Sequence, residues 1–306
     1  MKFIRRLLFV AGIGIMPYWG QAQFYNAGQE PASLKWRRIS SLNFEVIYPE
    51  SFEVEAHKVV NLMELAYKKV GYSLDHLPPK VSLILHTQTV KSNAFLGWAP
   101  QRIEMYTTPN QNIYSTDWMQ QLAVHEYRHM VQLSKIDQEM PRIFRVLFGH
   151  LSAAAIAAVH VPFCFREGDA VTIDTALSNS GRGRQPDFIR ETKAQVVEKG
   201  AYNYSKAYLG SFKDFVPNHY QMGYFMVAGS RDLFNEHIWN NSISRISRNP
   251  LKINALNKSI VKETGLSKSQ LYDSIYSYLK SKWTLEIAQL PQTNVQRLSR
   301  TNKVYT

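Results

Sequence analysis

With one cysteine, Cys164, in 306 residues, this chain has no intramolecular disulfide to hold it together, so its stability must come from a packed core and from any metal it binds. It also lacks an apolar run of the roughly 20 residues needed to cross a bilayer. Leu7 to Met16 is too short, and the alanine-rich Leu151 to His160 is bounded by Arg145, His150 and Pro162. No internal repeat is present. No DNA- or RNA-binding motif accompanies the formal charge of +12, and the excess of lysine and arginine is spread along the chain apart from Ser180-Gly181-Arg182-Gly183-Arg184. Such a charge reads first as a solvated surface, with binding to anionic envelope components or acidic substrates as the weaker alternatives, and no nucleic acid is expected as a partner. Disorder is excluded as well: 45% hydrophobic and 12% aromatic residues are ample for the core of one large domain or two modest ones.

The first residues form the pattern of an export signal. Lys2, Arg5 and Arg6 make a basic start, Leu7 to Met16 an apolar stretch, and Gly20-Gln21-Ala22 a small-residue cleavage site. The expected domains are therefore a signal peptide over 1–22, a main domain over 23–290, and a polar 291–306 that is either a tail or the start of a further β-rich domain. Localisation follows: periplasmic, outer-surface or extracellular, with peripheral contact with the cell envelope.

Along the main domain, Asn43 to Tyr48 alternates polar and apolar residues and predicts a strand. A helix is predicted from Phe52 to Val70 with Gly71 as its stop, then strands over Val81–His86 and Arg102–Thr107. Ser115-Thr116-Asp117 can cap a helix that runs to about Leu133, and this helix carries His125-Glu126-Tyr127-Arg128-His129. It is an H-E-x-x-H. Residues four apart share one helix face, so His125 and His129 can aim imidazole nitrogens at one ion, with Glu126 beside them as a base. Imidazole ligands suit zinc, which in catalytic sites keeps a position open for water. Beyond this helix, Pro141 to Phe165 reads as a buried or lipid-touching helical segment. His160 within it is a core histidine before it is a ligand. From Ser242 to Lys280 helices follow one another, with Leu271, Ile275, Tyr278 and Leu279 as one apolar stripe.

A catalytic zinc needs a third protein ligand. Gln132 and Lys135 stand where an H-E-x-x-H-x-x-G-x-x-H continuation requires glycine and histidine, which excludes that pattern. Downstream, Phe165-Arg166-Glu167-Gly168-Asp169-Ala170 presents Glu-Gly-x-Ala after an aromatic residue. This segment resembles the third-ligand motif of the gluzincins, the metallopeptidases that include thermolysin and the zinc aminopeptidases. The resemblance is nearest to the exported bacterial peptidase MA-like gluzincins, some of which carry a β-propeller after the peptidase domain; none is present in this chain. It covers roughly Asn43 to Ala228, and it implies one Zn2+ on His125, His129 and Glu167, with Glu126 as general base. It also implies an edge strand lining the substrate cleft, a role that Arg102–Thr107 is placed to fill. His219 to Met226 resembles the family's Tyr-x-x-Gly-Tyr helix, which puts Tyr224 first and Tyr220 second as donor to the oxyanion, with core packing the alternative for each. Asp169 or Asp174 can take the free ring N–H of a ligand histidine, or lie on the surface. Two departures stand out: 37 residues separate His129 from Glu167, a longer interval than in thermolysin, and no Gly-x-Met-Glu-Asn exopeptidase signature is present.

The expected fold class is α+β, a thermolysin-like zincin with a small N-terminal mixed sheet, an active-site helix and a mostly helical C-terminal part. The expected function is an exported zinc metallopeptidase acting on peptide or protein substrates. The alternative is a zinc-holding envelope scaffold of the same fold with little turnover, against which an intact Glu126 argues.

Overall fold

The structure, a computed structural model, describes residues 30–111, 117–291, 293–294 and 296. The signal-peptide reading over 1–22, the caps Ser115 and Thr116, and most of 291–306 lie outside them. Contacts divide the chain into Met1–Leu34 and Lys35–Thr306, and the second unit holds every element below.

The second unit is α+β. Its sheet is mixed, in the order β1-β2-β3-β5-β4. Strand β1 (Trp36–Ser40) runs antiparallel to β2 (Phe44–Pro49), β3 (Val81–His86) and β5 (Gln101–Tyr106) continue parallel, and β4 (Ala94–Trp98) closes the far side antiparallel to β5. Period-two alternation sends Phe44, Val46, Leu83, Leu85, Ile103 and Met105 to one face, where all are fully buried. The parallel pairing of β2 with β3 needs a crossover, supplied by helix α1 (Glu53–Tyr72). Ala56, Val59, Val60, Met63, Ala66 and Val70 recur at helical spacing on α1 and are buried.

Helix α2 (Trp118–Glu139) packs on α1, β4 and β5. Phe44, Tyr67 and Tyr127 join these layers, with ring centroids 5.2 to 5.9 Å apart. Nearly every residue of α2 from Ala123 to Asp137 is buried, because the remaining helices cover its other sides. These are α3 (Arg142–Phe148), α4 (Leu151–His160), α5 (Phe163–Ala176), α6 (Pro186–Lys199), α7 (Tyr204–Leu209), α8 (His219–Leu233), α9 (Ile238–Arg248), α10 (Ala255–Thr264) and α11 (Lys268–Gln289).

Several expectations need correction. Arg102–Thr107 is not the edge strand. β4 lies outside it, and its short Ala-Phe-Leu-Gly-Trp has no β-branched residue and no alternation to reveal it. Gly71 does not stop α1, which continues to Tyr72; glycine is needed there because a Cβ would lie 2.4 Å from the His76 carbonyl oxygen. Helix α2 runs to Glu139 rather than Leu133 and ends where Pro141 forces Met140 into extended backbone. On α11 the buried stripe is Leu271, Tyr272, Ile275, Tyr276 and Trp283, with Tyr278 on the exposed side. Among the described residues no single helix is long and apolar enough to cross a membrane.

Candidate metal centre

Asp117 opens α2 by accepting a hydrogen bond from the Gln120 amide at 3.0 Å, which satisfies one of the unpaired N–H groups of the first turn. Two turns on, His125 and His129 stand one above the other with ring centroids 4.9 Å apart and planes at 89°. Glu167 approaches from α5. Its Oε2 lies 3.3 Å from His125 Nε2 and 3.4 Å from His129 Nε2. Ligand atoms of the three residues fall within 4.8 Å of one another.

These distances fit zinc. Four ligands at 2.0 to 2.2 Å in a tetrahedron lie roughly 3.4 Å from each other, so the Nε2–Oε2 separations match two edges of that tetrahedron. The donor set of two imidazoles and one carboxylate is of the kind that catalytic zinc takes. In the metal-free protein this crowding must be relieved by a proton. Burial pushes the His129 pKa down, but the Glu167 carboxylate and its hydrogen bond override this and raise it to about 9. Burial likewise raises Glu167, and the charge of His129 with hydrogen bonds from both histidines hold it well below the usual carboxylate range.

Each histidine is oriented through its other nitrogen. His129 Nδ1–H donates to Gln132 Oε1 at 3.0 Å, which leaves Nε2 to face Glu167. The Gln132 amide donates in turn to Asp169 Oδ2 at 2.8 Å and to the Arg166 carbonyl at 3.0 Å. So Asp169 reaches His129 through one amide rather than directly. Asp174 Oδ2 lies 3.5 Å from His125 Nδ1 and accepts two hydrogen bonds from Arg182, at 2.8 and 3.0 Å. Arg182 Nη2 also contacts His125 Nδ1. Neither aspartate is on the surface, for both are buried.

Behind Gln132 is a buried charge network. Arg128, wholly buried, grips Asp169 through Nε at 2.7 Å and Nη2 at 3.0 Å, and donates to the Val70 carbonyl and the Ser73 hydroxyl on the α1 terminus. Arg231 of α8 adds a second contact to Asp169 at 2.7 Å. Burial raises the Asp169 carboxyl, but the charges of Arg128 and Arg231 prevail and hold it at about 2. Three elements, α2, α5 and α8, thus meet on one carboxylate, and Arg128 ties them to the end of α1. Sequence reasoning passed over Arg128, Gln132, Arg182 and Arg231. The signal for Arg128 was present, since a charged residue between the two histidines, on a helix buried on all sides, needs a partner of opposite charge.

Glu126 is buried beside the triad and takes part in no hydrogen bond or ion pair among the described residues, so its carboxylate is uncommitted. Tyr220, on the first turn of α8, belongs to the same surroundings. Burial first, then the charges of Glu167 and Glu126, raise its pKa against the opposing Arg182, whose guanidinium sits 5.6 Å from the ring centroid. Tyr224, one turn further, points elsewhere. Its hydroxyl is 3.5 Å from the Gly183 carbonyl, and the charges acting on it are those of Arg184, Asp232 and Asp174. Of the two tyrosines, Tyr220 is the one on which the charges of Glu167 and Glu126 act. His160 is not near the triad: its Nε2 donates to the Pro250 carbonyl at 2.6 Å, as a satisfied histidine of a helix end.

Helices α5 and α8 can approach this closely because glycine faces glycine. A Cβ on Gly168 would lie 2.0 Å from the Gly223 carbonyl carbon, and one on Gly223 would lie 1.8 Å from the Cys164 carbonyl oxygen. Gly168 follows Glu167, and Gly223 lies within a turn of Tyr220. The contact thereby fixes both side chains relative to α2.

No family profile matches this chain, and no curated protein matches it. Among solved structures it is similar to an aminopeptidase N family protein from Idiomarina loihiensis, with 9% identity and a TM-score of 0.35 over 86% of this chain and 45% of that one. The chain thus spans less than half the length of that protein, and a likeness of this degree carries no argument about fold or activity.

Proposed function

We propose that this chain is an exported zinc metallopeptidase of gluzincin type, with a thermolysin-like arrangement of sheet and helices around the site. The observation that carries the reading is the convergence of His125, His129 and Glu167 at tetrahedral spacing beside an uncommitted buried carboxylate, Glu126. Zinc held by the three residues would supply a Lewis acid that brings the pKa of water to about 7 and polarises a carbonyl.

The chain's own residues do the rest. Glu126 takes the proton of the attacking water and returns it to the leaving amine, the work of a general base that becomes a general acid. It is suited to this because no arginine or lysine neutralises it. Tyr220 donates its hydroxyl to the oxygen on which negative charge develops, and its raised pKa keeps the proton in place for donation. Gln132 orients the His129 imidazole, Arg182, itself held by Asp174, lies on His125 Nδ1, and the Arg128–Asp169–Arg231 network anchors Gln132. The substrates are peptides or proteins outside the cytoplasm.

The test is metal dependence of peptide cleavage. Protein stripped by a chelator should not cleave a mixed peptide library, and one equivalent of zinc should restore cleavage. Cleavage that survives complete removal of metal would refute the proposal.

A further inference from the structure

The segment joining the two halves of the metal centre carries a surface that water alone does not explain. Between Glu139 on α2 and Glu167 on α5 the chain has no acidic residue, three arginines, and six large exposed apolar side chains on one hairpin. Helix α3 has five apolar residues among its seven, Ile143, Phe144, Val146, Leu147 and Phe148, and buries none of them fully. Val146 is 79% exposed, Leu147 64% and Phe148 63%. Only Arg142 and Arg145, three apart on one face, interrupt α3, and so wide an exposed apolar surface normally marks a contact with a partner or with lipid.

Helix α4 follows after a bend of 115° at Gly149, whose φ of 63° lets the chain reverse. One side of α4 packs inward through Ser152, Ala153, Ile156 and Ala157, and the other presents Leu151, Ala155, Ala158 and Val159. That outer side has no polar residue. The loop after α9 extends the surface, because His160 at the end of α4 holds the Pro250 carbonyl, and Leu251 and Ile253 beside it are each more than four-fifths exposed.

We infer that the α3–α4 hairpin and the adjoining Leu251–Ile253 loop form a monotopic docking surface for an anionic lipid bilayer. The dimensions favour this over spanning: seven residues make a helix about 10 Å long, against a hydrocarbon core of about 30 Å. A monotopic helix instead lies in the plane of the interface, with its apolar face sunk roughly 5 to 10 Å. Charge decides between lipid and a second copy of the chain. Arg142 and Lys252 are exposed and in no ion pair among the described residues, while Arg145 and His150 are held by Asp137. Two copies meeting on this face would oppose arginine to arginine with no carboxylate in the hairpin to pair them. An anionic headgroup layer supplies that charge, at about 1 kcal/mol, or fivefold in binding, per basic residue. The surface is rigidly placed, since Trp98 Nε1 of β4 donates to the His150 carbonyl at the bend at 2.7 Å. This inference does not depend on the peptidase reading.

The test is sedimentation of the purified full chain with sucrose-loaded vesicles of phosphatidylcholine with one quarter phosphatidylglycerol, and of phosphatidylcholine alone. Binding should be tighter to the anionic vesicles and weaken with salt. Replacing Val146, Leu147 and Phe148 together by serine should weaken binding by at least a hundredfold, since each buried apolar side chain contributes on the order of tenfold. Zinc content and circular dichroism should stay unchanged, because none of the three is buried. Arg142→Glu should lose affinity for anionic vesicles alone, and Val54→Ser with Leu65→Ser, exposed on α1, should change nothing. Wild-type protein that stays in the supernatant at every lipid concentration would overturn the inference. So would a triple-serine variant that binds like wild type, or a wild-type dimer, broken by the triple substitution, that ignores vesicles.

Discussion

Replacing Gly168 by alanine adds one methyl group where the backbone of α8 leaves no room. The new Cβ would lie 2.0 Å from the carbonyl carbon, 2.3 Å from the oxygen and 2.5 Å from the Cα of Gly223, all backbone atoms that no side-chain rotation can move aside. Carbon atoms reach their optimal separation near 3.5 Å, so α5 and α8 must part by about 1.5 Å. Overpacking of this kind costs typically 1 to 3 kcal/mol, and with backbone on both sides the upper end, about 3 kcal/mol, is expected. The consequence for the site is larger than for stability. Glu167 precedes Gly168, and a metal ligand tolerates displacement of only about 0.2 Å. Zinc affinity is therefore expected to fall at least as far as for loss of an outer-shell partner, roughly 10- to 100-fold. Urea unfolding of the metal-free protein measures the first effect and competition against a chromophoric chelator the second. Gly200→Ala is the control: its φ of +80° strains a side chain, but nothing lies within 4 Å of the added methyl, so stability alone should change. A Gly168→Ala protein with wild-type unfolding midpoint and wild-type zinc affinity would refute the account of how α5 is held.

Zinc affinity should rise with pH, because the metal must displace the proton that His129 holds up to about pH 9. Chelator competition between pH 6.5 and 9 should show close to a tenfold gain per unit, and a flat profile would mean that His129 is no ligand. The same shift has the opposite sign for folding of the metal-free protein: stability from the Glu167–His129 pair is complete below about pH 6.5 and is lost as pH rises through 9. Asp169→Asn leaves Arg128 and Arg231 buried without their counter-charge and should cost about 3 to 5 kcal/mol in urea unfolding. Tyr220→Phe should lower kcat on a cleaved peptide by roughly 10²- to 10³-fold with little change in KM, whereas Tyr224→Phe should leave turnover close to wild type. Equal losses in the two variants would show that position relative to Glu167 and Glu126 does not decide the role.

What could be read from residues alone was whatever rests on local spacing. His125, Glu126 and His129 follow from one helix and one period, and Asn43–Tyr48 declares itself by alternation. Glu167 came from a resemblance, and the structure brings it to the two histidines. What escaped depends on non-local geometry. Strand β4 has no alternation of its own and forms because β5 offers it an edge. The role of Arg128 depends on Asp169, Val70 and Ser73, which come from elements distant in sequence. Tyr220 and Tyr224 are indistinguishable by motif. Tyr220 feels the charges of Glu167 and Glu126 and Tyr224 lies against Gly183, a difference that arises only once α8 is seated on α5. The bend at Gly149 likewise turned one apolar stretch into two short arms.

The proposed chemistry rests on Glu126 as a base that is not needed to hold the ion. Glu126→Gln keeps the size and polarity of the side chain and removes the base. Wild type and variant, each loaded with zinc and assayed side by side on the same peptide with metal content measured on the same samples, test this directly. The expected result is one zinc per chain in both, with cleavage by the variant reduced by about 10²- to 10⁴-fold. Equal turnover in the two proteins at equal zinc content would contradict the account.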